Sequence, residues 1–415
     1  MKNPYLVATV VCLLSFALTG CCESVAVPTP VPVTITFAFS SFDAAAYRPL
    51  VEEFNTTYPF ITIELYPLRG SNHGLDMTTI DVLVGNQYQA TEFRERGDIL
   101  DLSPILEHDL SFDPTDFHPG VLEAFSGAGD VWAIPSGVDP LVMYYNKGLF
   151  DAAGAPYPQN GWTWDGFLEA ALAVNDPDND TFGYLPMPEA SDPLPFIFEH
   201  GGDILDDLQE PTRTTYDDPL TVEAVEWYAD LVFKHNVIPT PEQMRTAFPG
   251  EDGVFHGVFQ GEAGMWAGTL SERGGMTWRR QTWPMEWGVV SLPRDVQSLT
   301  LIDAEGFFIS SHTQNREACW RWVKFLSERP SYRLVPARRS VLASDAYEQE
   351  VGTEVAIAAR DSLANAVMIS PRLAGFGEVI EETFFPAIET VLAREATPEE
   401  ALTSAQRQAE SLIGP

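Results

Sequence analysis

The chain has 415 residues, a length that suggests two or more domains, and its 45% share of hydrophobic residues is ordinary for a globular protein. Its 24 Lys and Arg face 60 Asp and Glu, a formal charge of −36. Phosphate backbones and anionic membrane surfaces would both repel that charge, which argues against nucleic acid as a partner.

Only Lys2, Lys147, Lys234 and Lys324 supply ammonium groups. Such a balance suits a soluble extracytoplasmic protein with an acidic surface, or one adapted to a saline habitat. Residues 1–20 read as a targeting segment, with Lys2 as the positive start and Tyr5–Leu18 as an apolar run too short to span a bilayer. The run ends in Leu18-Thr19-Gly20-Cys21, which resembles the bacterial lipobox. That resemblance implies cleavage before Cys21 and diacylglycerol on its thiol, and hence attachment to the bacterial cell membrane. Glu23–Pro32 carries three spaced prolines, so residues 21–32 are expected to form an extended tether. Cys12 leaves with the leader, and Cys21, Cys22 and Cys319 make no disulfide framework or zinc pattern. The fold must rest on an apolar core, with no cofactor and no metal.

Val33–Phe39 alternates β-branched and aromatic residues and predicts the first strand. Leu50, Val51 and Phe54 mark a helical face, and Ile61–Tyr66 predicts a second strand, parallel to the first through a right-handed crossover. Ligands in open α/β sheets sit beyond the carboxyl ends of strands, which singles out Ser40 and Asp43. Ile80–Val84 predicts a third strand, followed by Asn86 and Gln87, whose amides both donate and accept. Val131–Asp151 reads as a short extended segment ended near Pro135, a crossing, a second strand bearing Met143, Tyr144 and Tyr145, and a helical turn stopped by Gly154.

Further on, Trp164 opens a helix with Phe167, Ala171 and Val174 on one face. Asp176, Asp178 and Asp180 are spaced like the start of a calcium loop, but Thr181 stands where the sharp turn needs Gly, so a structural turn is expected. Asp218–Val237 predicts a helix with Pro219 at its start, and Asn315–Leu326 an amphipathic one that buries Cys319. Thr397-Pro398-Glu399-Glu400 is a capping box opening the last helix.

The order of these runs resembles the family 1 extracellular solute-binding proteins, the sugar-binding subunits of ABC importers. The runs are AIPSGVDPLVMYYNKGLFDAAG from Ala133, TWDGF from Thr163, FHGVFQGEAGMW from Phe255, DAEGFFIS from Asp303 and LVPARRSV from Leu334. The chain departs from that pattern at 70–79, where the family's longer helix looks lost or shortened, and at Asp303 and Ala304, which replace a glycine pair. The resemblance implies a two-lobed periplasmic-binding-protein-like α/β fold of type II, with mixed sheets flanked by helices and a ligand cleft between lobes. Lobe 1 would take residues 33–138 and 304–345, and lobe 2 residues 139–303 and 346–415.

It also implies a non-enzymatic receptor, a monomer, that closes about a carbohydrate (an oligosaccharide) and delivers it to ABC permease membrane subunits. A sugar needs flat aromatics for its ring faces and carboxylates or amides for its hydroxyl rim. Trp266, which follows the Gly261–Gly264 turn, is aligned by the resemblance with a cleft aromatic. Tyr144, Trp164, Asp303, Glu305 and Arg338, with Ser40, Asp43, Asn86 and Gln87, complete the candidates. The acidic charge leaves a polyamine or other cationic solute open as cargo. Two other functions remain open: a binding fold repurposed as a surface interaction or sensing module, and an anchored glycoside hydrolase, which needs a carboxylate pair about 5–10 Å apart across a cleft.

Overall fold

The structure is a computed structural model that describes residues 31–413, except 70–74, 128, 188–190, 209–210, 251, 277–280, 332, 365 and 369–373. The leader, Cys21 and all but the last two residues of the tether lie outside the described residues. So do residues 70–74 of the stretch where a helix looks lost; beyond them, Met77–Thr79 makes one 3-10 turn capped by Asp76.

Strand β1, Val33–Ser40, and β2, Ile61–Leu68, pair in parallel around the helix Ala44–Thr57. β1 directs Ile35, Phe37 and Phe39 into the interior, as its alternation requires. β3, Val82–Asn86, joins the other edge of β1, also in parallel. The later strands are β4, Ala133–Asn146; β5, Phe182–Tyr184; β6, Ala263–Thr269; β7, Trp287–Val290; and β8, Thr300–Ile309. Their order is β2-β1-β3-β8-β4-β6-β5, with β7 also bonded to β4.

The expected pair of strands across Val131–Asp151 is one unbroken strand, β4. Its prolines are tolerated because of where they fall. Pro135 lies opposite Gly306, beside a bulge at Ser136 in β4 itself, and Pro140 lies where β4 exchanges partners. Residues Ala133–Pro140 pair with β8, whereas Leu141–Asn146 pair with β6 and β7. β8 makes a matching exchange: Thr300–Ile302 run beside Ala366–Met368, and Glu305–Ile309 beside β3. A third connection, Val335–Pro336, lies against Val138 and Gly137. There a Cβ on Gly137 would fall 2.6 Å from the Leu334 Cβ and 2.9 Å from the Val335 carbonyl, so only glycine permits the approach.

Two cores follow. One gathers Phe37, Phe39, Phe54, Phe308 and Trp322, with Cys319 buried on the helix Arg316–Ser327. The other gathers Met143, Tyr145, Phe167, Phe196 and Tyr228 with Phe384 and Leu402 of the two C-terminal helices, Ala374–Leu392 and Pro398–Ile413. The Thr397–Glu400 capping box is present. Residues 176–181 close as a turn, with Asp176 and Thr181 exchanging backbone bonds.

Candidate functional site

The carboxyl ends of β1 and β3 reach the same side of β8. Two of the polar residues there are spent on local structure. The Ser40 hydroxyl accepts from the Phe42 N–H at 3.4 Å, and the Asn86 side chain accepts from the Gln89 N–H at 3.1 Å in a capping box. Gln87, fully buried, grips β8 instead: its amide nitrogen donates to Asp303 at 3.2 Å and its oxygen accepts from the Ala304 N–H. Tyr88 donates its hydroxyl to the same Asp303 oxygen at 2.8 Å.

Asp303 and Glu305 lie two residues apart on β8 and therefore share a face. Glu305 accepts from Arg333 Nη2 at 2.7 Å, and Arg333 Nε lies 3.8 Å from Asp43 Oδ1. Asp43 is only 8% exposed, and that oxygen accepts no hydrogen bond. Burial pushes its carboxyl up to about 6, against the pull of Arg333 and with a further push from Glu305. Burial likewise raises Asp303, against its bonds from Tyr88 and Gln87, and Asp139, which accepts from the Ser271 N–H at 2.9 Å. Asp43, Glu305 and Arg333 edge a cleft of about 450 Å³ lined also by Tyr47, Ser136 and Glu350, among others. The arrangement offers acceptors and one guanidinium to a polar ligand at the crossing strands.

The structure thus brings Asp43 near Glu305 and Gln87 onto Asp303, with Ser40 and Asn86 at the same strand ends, and packs Trp266, Tyr144, Trp164 and Arg338 into the interior. Trp266 is 1% exposed and stacks on Tyr144, its directly opposite partner on β4, at 5.8 Å; Trp283 meets both edge-on. The expected delivery of Trp266 by the Gly261–Gly264 turn does not occur. Gly261 caps the helix Gly253–Gln260 in a left-handed conformation, and β6 has begun by Ala263, so Trp266 stands in mid-strand. Trp164 is core: it stacks on Trp227 at 3.9 Å and donates to buried Glu199 at 3.0 Å. Arg338 is 5% exposed, packs over Phe117 at 4.4 Å and bonds to Ser327, Asp113 and Asp116.

Arg333, Tyr88 and Asp139 were not singled out from sequence. Each lies within three residues of a run quoted for another reason: Tyr88 after Gln87, Arg333 just before LVPARRSV, and Asp139 before Pro140. Nothing local marks Asp139, whose place depends on a partner strand more than 160 residues later.

This fold, with a polar cleft beside the crossing strands, is that of a binding protein. The chain belongs to the family described as bacterial extracellular solute-binding protein, whose sequence model matches residues 40–331. Among curated relatives, an arabinooligosaccharide-binding protein of Halalkalibacterium halodurans is 28% identical over 109 residues, 26% of this chain and 24% of that one. A mannitol-binding protein of Pseudomonas aeruginosa is 31% identical over 103 residues, 25% of this chain and 23% of that one. The alignment thus spans about a quarter of each relative's length. Solved structures match far more of the chain. An ABC substrate-binding protein of Listeria monocytogenes in complex with cycloalternan aligns over 92% of this chain and 99% of its own, at 22% identity and a TM-score of 0.69. The sugar-binding protein MalE of Xanthomonas citri covers 92% and 97%, at 19% identity and a TM-score of 0.70. At these identities the structures establish the two-lobed fold. Family membership places the chain outside the cytoplasm, among binding proteins. Among the described residues no helix is long and apolar enough to cross a membrane.

Proposed function

We propose that this chain captures a carbohydrate by closure of its two lobes and delivers it to the membrane subunits of an ABC permease, without chemical turnover. The observation that carries the reading is the cleft beside β8, where Asp43, Glu305 and Arg333 gather planar polar groups. Carboxylates, amides and guanidinium are the groups that match hydroxyl pairs. The names of the relatives, which bind an arabinooligosaccharide and mannitol, support the same class of cargo. The partner exchanges on β4 and β8 support lobes of 33–138 with 304–345 and 139–303 with 346–415, hinged where strands cross. Diacylglycerol on Cys21 would hold a monomeric receptor at the membrane, a reading that rests on the lipobox-like sequence.

The test is a thermal-shift screen of residues 23–415 against mono- and oligosaccharides, glycerol phosphates, amino acids and polyamines, with chromatography for products. A ligand at a hundred times its dissociation constant adds about 2.7 kcal/mol. A shift with one sugar class and no product is expected; a flat response from folded protein, or release of product, would overturn the reading.

A further inference from the structure

The cleft is unusually acidic for a site that needs only to match neutral hydroxyls. Asp43, Glu53, Glu305 and Glu350 line it, against Arg329, which pairs with Glu53, and Arg333, which is shared between Glu305 and Asp43. Among the described lining residues, four carboxylates therefore face two guanidiniums. Charge excess alone would describe any acidic surface. A second feature sets this place apart: Asp43 Oδ1 is enclosed by protein, borders the 450 Å³ cleft and has no donor, since Arg333 Nε is too distant for a hydrogen bond.

A buried carboxylate oxygen without a donor is destabilising, because its desolvation is not repaid by a hydrogen bond. A ligand that brings a charged N–H to it removes that cost and the local charge excess together. A neutral hydroxyl removes only the first. A metal ion would need several converging ligands, and among the described residues no set of His, Cys, Asp or Glu side chains is arranged to hold one.

We infer that the cargo is an amino-bearing saccharide whose ammonium group docks against Asp43, between Arg333 and the helix Ala44–Thr57. The inference rests on the carbohydrate reading above and narrows it. Hydroxyls on the same molecule meet Glu305 and Ser136, while the amine is read by Asp43 alone. Specificity arises because an acetamido or hydroxyl group at that position leaves the cleft's negative charge uncompensated.

The experiment uses matched oligomers: glucosamine oligomers, their N-acetylated counterparts and glucose oligomers, with spermidine as a cation without a sugar. Each is titrated by calorimetry into the wild-type protein, into Asp43→Asn and into Glu169→Gln, a control exposed on the helix Trp164–Val174 away from the cleft. Aminated oligomers are expected to bind at least tenfold more tightly than the N-acetylated ones. That preference should fall several-fold in 100–300 mM salt, vanish in Asp43→Asn and persist in Glu169→Gln. Equal binding of aminated and neutral oligomers, or binding of neutral ones only, overturns the inference while leaving carbohydrate capture in place. Binding of spermidine alone overturns the carbohydrate reading. No response to any aminated probe also overturns the inference.

Discussion

Asp139 on β4 and Asp303 on β8 lie directly opposite each other, beside the places where both strands exchange partners. Like charges so placed oppose folding by roughly 0.2–1 kcal/mol. Burial raises both carboxyls, and each is steadied by its own donors, Ser271 N–H for Asp139 and Tyr88 and Gln87 for Asp303. An acid raised above its unfolded value favours folding at low pH and opposes it as pH climbs through the folded value. Asp139→Asn retains an acceptor for Ser271 and removes the repulsion. Urea unfolding near pH 8 should therefore show a gain of about 0.5–1 kcal/mol that disappears near pH 4. A variant less stable at pH 8 would refute this account of the pair.

In the second core, Glu199 is 1% exposed and accepts from the Trp164 indole N–H, while its other oxygen has no partner. Burial holds this carboxyl far above its ordinary range. Glu199→Gln keeps the acceptor and should leave stability at pH 7 within about 1 kcal/mol, whereas Glu199→Ala orphans the indole and should cost about 1–3 kcal/mol. Because a raised acid loses its contribution as pH rises, the wild type should weaken relative to the Gln variant with rising pH. Trp fluorescence on denaturant titration reads both effects.

The strands, most helices and the parallel start of the sheet were legible because alternation, caps and breakers act locally. Thr163 before Trp164 and Thr397 before Pro398 both start helices as their spacing requires. The continuity of β4 was not legible. Pro135 and Pro140 argue locally for breaks, and only the bulge at Ser136 and the exchange of partners make their missing N–H groups harmless. The site was half legible. Strand ends pointed to Asp43, Gln87, Asp303 and Glu305, but aromatic content says nothing about which face of a strand is covered. Trp266 and Tyr144 therefore read as ligand platforms, whereas the structure packs them against Trp283. Arg333 carries no signal until the chain brings it to Glu305.

Arg338 illustrates a residue that serves the frame. Its guanidinium lies over Phe117 and Phe112, bonds to the Asp113 carbonyl and Ser327, and pairs with Asp116 at 3.4 Å. Lysine cannot reproduce that fork. Arg338→Lys should destabilise the protein by about 1–3 kcal/mol and Arg338→Ala by about 3–5 kcal/mol, because Asp116 loses its buried partner. Cargo affinity, measured by calorimetry at a temperature where the variants remain folded, should change less than threefold. A large loss of affinity in a folded variant would return Arg338 to the ligand site.

Gly137 lies where the third connection touches β4. Gly137→Ala forces the new methyl against Leu334 and the Val335 carbonyl, which is backbone and cannot swing away. The expected loss is about 1–3 kcal/mol. Since the strain falls at the crossing, the change in scattering radius on saturating with cargo should also shrink. Wild-type stability together with wild-type closure would show that this contact has slack.

Asp43 ties stability to cargo. Tyr47 and Glu305 face its carboxyl, along with Arg333, and the balance raises it to about 6 from 3.8. Between those two values the folded protein holds a proton that the unfolded chain has released, so stability falls as pH rises through the window and stays low above it. Asp43→Asn removes the ionisation and should stabilise the unliganded protein by about 1–3 kcal/mol near pH 8, with little difference near pH 4. Parallel pH profiles for wild type and variant would remove Asp43 as the cause. An ammonium-bearing ligand favours the ionised form, so its binding near pH 6 should expel a proton from the wild type. That release is read as a dependence of calorimetric heat on the ionisation enthalpy of the buffer. The Asn variant should show no such dependence, and a neutral oligosaccharide should produce none in either protein.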